Sequence, residues 1–595
     1  MANHIDPNDE NAIVFDGFQE GIAEDPYDGI SDMRNANIIS IPGEASVNFA
    51  TDMVSDGSFT VNVLSSDATA DTVTFASTPN LKSHQVVYFT ASSIGGISTG
   101  TLNAGVYYWL EKIDDTTARL YTGPYFDPVG LVNITTDSTG TFSTVDMGLP
   151  KYFSFNSNIN SQATYMVDIN GRVWFNMIQG VVSTHFIFAG NKVPTTKKSG
   201  NGLVYYEASD GTGYMFVFHN SSIDYIDAAS LEVSVTAPAW VYQWVPSAGT
   251  HSTYSASPTA ILVTAGGTPN SHETLLGSDN AVYYCDATDV GRFYQKNPSY
   301  PTLTPFDPTD TSTYVFDSTP LLPTNDIAQC MAQVGTNILI GGKKNVIYPW
   351  NTVDFKTDYP IFLAERNVQK MVTVNTNVYA LVGNRGRIYI TNGSQAQLWK
   401  KVPDHLSGTV EPYYIWGGLC SQKNQIYFSF YTTTNSGDVL PVCGGIWAVD
   451  VDTEAIRVAN ELSYGTYAGY ASALIPDLSL TPAGTGLFMG WYDGVSAYGV
   501  DQTVTGLYTN SQTYIDFEMY PIATFLRPKT FKTVEYKLSS PLVQGESVSI
   551  YYRKKISDLF TLIFTSSMAG AYSDNHPVNF DNAQWVQLRV ILNSI

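Results

Sequence analysis

Two stretches decide the reading of this chain: TNILIGGKKNVIYPW at residues 336–350 and TNVYALVGNRGRIYI at residues 376–390. Each is an apolar run, a connection containing Gly or Asn, and a second run rich in aromatic and β-branched residues. That order is the signature of a β-hairpin. The same pattern recurs at 163–177 (ATYMVDINGRVWFNM), 202–218 (GLVYYEASDGTGYMFVF), 273–285 (ETLLGSDNAVYYC), 424–449 with a longer connection, and 485–500 (TGLFMGWYDGVSAYGV), giving seven hairpins in all. Their intervals are irregular, but the shortest is about 40 residues, the period of a propeller blade of four strands. Residues 148–515 therefore read as a β-propeller of six or seven blades. Two stretches rich in Pro, Ser and Thr, 246–270 and 295–324, are expected as long loops within it.

Composition supports an all-β class. Of 595 residues, 39 are Tyr, 29 Phe, 47 Gly and 29 Pro, so strand-forming aromatics and turn-forming residues are both abundant. Only 14% are charged, below the roughly 25% of an average soluble protein. Sustained helical periodicity is nearly absent; the one short candidate, 325–333, is about two turns long and follows Pro323.

Outside the propeller three regions differ in texture. Residues 1–56 have turn chemistry at Asp25-Pro26-Tyr27-Asp28-Gly29 and a loosely alternating segment from Met33 to Phe49. A strand without a local partner must find its hydrogen bonds elsewhere, so this arm is expected to lie against the C-terminal domain or a neighbouring subunit. Residues 57–147, rich in Thr, Ser and Gly with short regular strands, read as an inserted small β-sandwich or barrel. Residues 516–595 carry longer alternating strands, such as Val548-Ser549-Ile550-Tyr551-Tyr552, and read as a C-terminal β-sandwich.

The charge balance, 30 Lys+Arg against 54 Asp+Glu, gives a formal net charge of −24. Such a chain is repelled by phosphate backbones and anionic lipid, which argues against tight nucleic-acid binding. No apolar run approaches the roughly 20 residues that a membrane helix requires, and the N-terminus lacks a secretory signal pattern, so a soluble protein made in the cytoplasm is expected, with no stable membrane insertion. Cys285, Cys330, Cys420 and Cys443 are too far apart for a zinc knuckle and read as buried free thiols.

The chemical motifs are weak. Ser209-Asp210-Gly211-Thr212-Gly213 matches a sialidase Asp-box only in part and reads as a turn. Asp450-Val451-Asp452-Thr453-Glu454 starts like a calcium loop, but Ala455 stands where that loop needs Gly, so a hairpin turn is the better account. Gly96-Ile97-Ser98-Thr99-Gly100 fits the nucleophile-elbow spacing, without the helix an elbow requires. The eight histidines, His4, His84, His185, His219, His251, His272, His405 and His576, form no zinc-binding pair. The basic clusters Lys197-Lys198, Lys343-Lys344, Lys400-Lys401 and Arg553-Lys554-Lys555 read as solvated turns. Tyr413-Tyr414-Ile415-Trp416 and Trp491-Tyr492 could stack on sugars, but in so aromatic a chain they read as core. No catalytic residue, no cofactor-binding residue and no metal ligand is assigned, no cofactor is expected, and the chain is read as non-enzymatic.

Three segments carry a family resemblance. Gly17-Phe18-Gln19-Glu20-Gly21-Ile22-Ala23 followed by Gly29-Ile30-Ser31-Asp32-Met33-Arg34-Asn35-Ala36-Asn37 resembles the opening of structural proteins of tailed bacteriophages. The stretch from Asp71-Thr72-Val73-Thr74-Phe75 through Val106-Tyr107-Tyr108-Trp109 to Ala118-Arg119-Leu120-Tyr121 is similar to a small β module of phage virion proteins. Val534-Glu535-Tyr536-Lys537-Leu538 and Gly545-Glu546-Ser547-Val548 resemble a sandwich of the same proteins. With a propeller, these resemble the nozzle, or tail tubular B, family of short-tailed phages. The resemblance implies a virion tail protein forming a six-fold homo-oligomeric ring beside adaptor and tail-fibre proteins, with DNA passing through the lumen without specific binding. A receptor-binding spike that recognises host glycan, or a polysaccharide depolymerase, is the alternative.

Overall fold

A computed structural model describes strands and many of their connections between Asn3 and Asn593; connections outside the described residues include 6–12, 16–21, 23–31, 122–130, 178–185, 189–199, 220–236, 245–260, 264–272, 404–411 and 478–485. The chain is all-β, with no α-helix among the described residues. It divides into two compact units: residues 53–360 with 498–500, and residues 1–52 with 361–497 and 501–595.

The fold is of the β-propeller class, its blades following one another along the chain as antiparallel meanders of four strands. In the unit of residues 53–360, blade 1 is Pro150–Asn156, Ala163–Asp168, Val173–Met177 and Ile187–Phe188; blade 2 is Gly200–Glu207, Gly213–His219, Ala237–Trp244 and Ile261–Val263. Blade 3 is Thr274–Leu276, Val282–Asp286, Asp289–Gln295 and Tyr314–Ser318; blade 4 is Ala328–Val334, Asn337–Gly342, Val346–Asn351 and Lys356–Thr357. The other unit holds blade 5 (Val368–Val374, Asn377–Val382, Arg387–Thr391, Ala396–Lys401) and blade 6 (Tyr413–Gln422, Gln425–Thr433, Ile446–Asp450, Ile456–Asn460). Blade 7 is formed by Tyr470–Asp477, Gly486–Tyr492, Tyr498–Tyr508 and, from the N-terminal segment, Phe49–Met53. Each of the seven hairpins read from the sequence lies in a different blade.

Three sequence expectations are corrected. The helical candidate at 325–333 is the strand Ala328–Val334, paired along its length with Asn337–Gly342. Two turns of weak helical pattern lose to a full ladder of strand hydrogen bonds and to burial of Ala328, Cys330, Met331 and Ala332. The expected loops 246–270 and 295–324 contain the outer strands Ile261–Val263 and Tyr314–Ser318, because short runs of β-branched or aromatic residues suffice where a blade edge is waiting.

Successive blades pack through their first strands. In one unit Pro150–Asn156 lies against Gly200–Glu207, that strand against Thr274–Leu276, and that against Ala328–Val334; in the other, Val368–Val374, Tyr413–Gln422 and Tyr470–Asp477 follow suit. In six blades the first strand is bulged against the second, between Pro150 and Tyr152, Gly200 and Gly202, Ala328 and Cys330, Val368 and Lys370, Trp416 and Leu419, and Ala471 and Ala473. A bulge increases local twist, which the innermost strand of a fanned meander requires. The cores between blades are aromatic: Trp416, Phe428, Phe430 and Trp447 pack with ring centroids 5.2–6.5 Å apart, and Tyr283 meets Trp350 edge-on at 5.6 Å.

Residues 60–144 contain a closed barrel of six strands, Thr60–Asp67, Thr72–Phe75, Val86–Phe89, Tyr107–Lys112, Thr117–Tyr121 and Gly140–Thr144, filled by Val73, Phe75, Val87, Leu110 and Leu120. The C-terminal domain is a sandwich. Thr533–Lys537 pairs with Ser573–Pro577, and this layer packs on Ser547–Arg553, Thr561–Ser566 and Trp585–Asn593 through Tyr536, Leu538, Ile550 and Phe564. The expected boundary between residues 515 and 516 falls inside Thr513–Asp516, a strand of the sandwich sheet. The N-terminal arm joins the two parts of its unit. Asp32–Arg34 inserts between Ile456–Asn460 of blade 6, which it meets in parallel, and Thr513–Asp516, which it meets antiparallel, so one sheet continues from blade 6 into the sandwich.

Candidate functional site

Acid catalysis needs carboxylates free to exchange protons with a substrate, so the surroundings of the buried acids come first. Asp168, at the end of the second strand of blade 1, accepts the backbone N–H groups of Gly148, Asn170 and Arg172 at 2.9 Å and the indole N–H of Trp174 at 3.2 Å. Burial pushes its carboxyl above the usual range, while the Gly148, Arg172 and Trp174 donors pull it back. Asp501 in blade 7 repeats the device: it accepts the Trp491 indole N–H at 2.8 Å and both the N–H and hydroxyl of Ser463 at 2.6 Å. Asp326 accepts the N–H of Ile327 and of Lys344 and the Tyr348 hydroxyl. Glu365 pairs with Arg387 at 2.7 Å. Asp279, an exposed turn residue of blade 3, accepts the Tyr283 hydroxyl at 2.6 Å with the Arg292 guanidinium at 3.7 Å. Each carboxylate is engaged by its own blade, tying strand ends and turns together.

The sequence motifs fall into the same structural roles. In the Asp-box-like segment Gly211 donates its N–H to Ala208 with a φ of 82°, a tight turn that favours glycine. Asp450 accepts the N–H groups of Asp452 and Thr453 and the Thr453 hydroxyl, the hydrogen bonds of a hairpin turn. Gly96 and Gly100 lie on two paired strands, Ile94–Ile97 and Gly100–Leu102, with Ile97 opposite Gly100. Cys285, Cys330 and Cys420 are buried free thiols; Cys443 lies outside the described residues. Tyr414, Trp416 and Trp491 are core, with Tyr413 exposed at their margin. His576 stacks on Phe564 at 3.7 Å and bonds Asp574 at 3.1 Å, which holds the Asp574 carboxyl below its usual range.

The basic clusters divide. Lys343-Lys344 lie in a turn, whereas Lys400-Lys401 lie on the strand Ala396–Lys401, with Lys400 against Glu454 at 3.3 Å; the turn expected there is corrected because the fourth strand of blade 5 continues to Lys401. Lys197-Lys198 lie outside the described residues. The cluster Arg553-Lys554-Lys555 begins on a sandwich strand and forms a distinctive corner. The ring of Phe560 is flanked by two guanidinium groups, Arg589 at 4.0 Å and Arg553 at 4.4 Å. Arg589 also lies over Tyr514 at 4.3 Å and grips Asp516 with two nitrogens; Arg553 donates to Gln587 at 2.6 Å. Beside this stack Leu559 is 91% exposed and Leu562 48% exposed. Cation–π contact with one ring holds both arginines, with the Asp516 carboxylate fixing Arg589 and the Gln587 amide oxygen fixing Arg553. Sequence reading passed over the corner, although Arg553-Lys554-Lys555 followed by Leu559-Phe560 was its visible signal.

No family model and no curated protein matches the chain. Among solved structures it is similar to the β-propeller domain of Myceliophteria thermophila Cps50 (Swd1), at 10% identity and a TM-score of 0.38, covering 61% of this chain and 99% of that one.

Proposed function

We propose that the chain is a non-enzymatic structural protein of a bacteriophage tail, assembling as a six-fold nozzle-type ring through which DNA leaves the virion. The observation that supports this reading is a set of propeller blades followed by a C-terminal sandwich in a chain whose sequence resembles the nozzle family; the inserted barrel of residues 60–144 departs from that family's pattern. Adaptor and tail-fibre proteins are the partners that reading supplies. The surroundings of Asp168 and Asp501 support a scaffold: a buried carboxylate that accepts three or more donors is poorly placed to hold a substrate proton.

The charge balance suits a conduit. Lys and Arg facing a bore would bind phosphates by counterion release and retard a polymer that must slide, and a net charge of −24 per chain works against such binding. Screening confines the effect to about 8–10 Å at physiological salt, so the bore-lining residues decide it. Electron microscopy of the purified protein tests the reading: a six-fold annulus with an open lumen is expected. A trimeric spike, or release of oligosaccharide from host polysaccharide, overturns it in favour of receptor binding or depolymerisation.

A further inference from the structure

The basic corner of the sandwich is unusual in a chain of net charge −24. In sequence the turn carries three basic residues, Arg553, Lys554 and Lys555, and one acid, Asp558, and Leu559 and Leu562 are exposed beside it. An apolar patch rimmed by like charge fits a partner that is both acidic and apolar. The chain supplies one. Residues 1–33 carry nine Asp or Glu and no Lys or Arg. Within them Asn3–Ile5 and Ile13–Phe15 form a hairpin that is a two-stranded sheet of its own among the described residues. Isolated hairpins are marginal in water, so this one gains from a surface to cover it. Asp6, Asp9, Glu10 and Asp16 surround its apolar Ile13-Val14-Phe15 run in the sequence.

We infer that the corner formed by Arg553, Lys554, Lys555, Leu559 and Leu562 is the docking site for the acidic N-terminal hairpin of a second copy of this chain. The two surfaces are unlike, so the contact is heterologous and passes from copy to copy, closing into a ring or extending as a filament. The inference deepens the ring reading by naming the contact between copies, and it needs only that copies associate.

The test is cross-linking between two full-length variants, one carrying Asp9→Cys and the other Leu559→Cys, mixed under mild oxidation. A mixed disulfide should form at least 10-fold faster than between Asp9→Cys and the exposed control Val353→Cys. Adding Lys554→Glu and Lys555→Glu to the Leu559→Cys copy should slow it about 10-fold, and Asp6→Lys with Glu10→Lys in the other copy should restore it. A rate no greater than the control, indifference to charge reversal, or closure of the disulfide within a single chain carrying both cysteines overturns the inference. Six-fold rings without the cross-link would leave the nozzle reading standing; the cross-link without rings would leave the docking contact standing alone.

Discussion

Asp168 accepts four hydrogen bonds from groups that can only donate, which limits what can stand in its place. Asp168→Ala strands the Gly148 N–H and the Trp174 indole in the interior, at about 1–3 kcal/mol for each buried donor. Asp168→Asn turns an amide NH2 toward donors, so it should also destabilise, and urea unfolding would show both below the wild type. The phenols of Tyr206 and Tyr283 give a prediction in pH. Burial pushes each up to about 12, with the Asp279 contact adding to the shift at Tyr283. The folded state thus keeps protons that the unfolded chain releases near pH 10. The stability they contribute is fully present below about pH 10 and is lost as pH rises through about 12, so melting temperature should fall across that window. Tyr206→Phe and Tyr283→Phe should flatten the fall. Burial also pushes the Cys420 thiol up, which suppresses the thiolate that reacts. Mass mapping after alkylation of the native protein at pH 8 should find Cys285, Cys330 and Cys420 unmodified.

At the scale of the element, the joints between blades combine close backbone approach with small hydroxyls. A Cβ on Gly418 would stand 2.7 Å from the Ala473 carbonyl carbon, at the bulge where the first strand of blade 6 lies against that of blade 7. Gly418→Val should cost more than about 2 kcal/mol, since backbone and not a flexible side chain must move. Nearby, buried Ser429 donates to the Gly445 carbonyl and accepts the Ala471 N–H. Ser154 accepts the Tyr205 N–H between blades 1 and 2, and Thr274 donates to Leu203 between blades 2 and 3. Ser429→Ala should lower stability by about 1–3 kcal/mol in chemical denaturation, because both partners remain buried. The hairpins were legible in the sequence because their signals are local: residues 337–351 pair across one short connection ending in Asn345. The joints were not, since nothing local distinguishes Ser429 from a surface serine; its partner Ala471 lies about 40 residues on. The strand Ala328–Val334 was misread for the same reason, its pairing being stronger than its own pattern. Ile261–Val263 was hidden within a polar stretch, three residues being too few to alternate.

For the whole molecule, the segment Asp32–Arg34 matters out of proportion to its length. Met33 is fully buried, and the strand bonds neighbours on both sides. Deleting residues 1–49 opens a slot between blade 6 and the sandwich and removes part of the fourth strand of blade 7, so the melting temperature should drop by at least about 5 °C. A truncated protein that melts unchanged would show the segment to be dispensable. Pairing with the C-terminal domain or a neighbouring subunit could be read from Met33 to Phe49, but the slot between two strands could not, because no pattern in three residues points to Val458 or Ile515. The corner around Phe560 was hidden likewise: Arg589 and Tyr514 reach it from strands that pair only in three dimensions.

This inserted strand also has a consequence for biosynthesis. It leaves the ribosome before either neighbour exists: Val458 is made more than 400 residues later and Asp516 about 480 residues later. At about 5–20 residues per second, the strand waits roughly 25–100 s for the second of them. Blades 1 to 5 can close meanwhile from strands already in hand, but the continuous sheet cannot form until residues 513–516 have been made. A nascent chain cut short before residue 513 lacks that sheet, so the order of synthesis itself delays its closure until the first strand of the sandwich sheet has emerged.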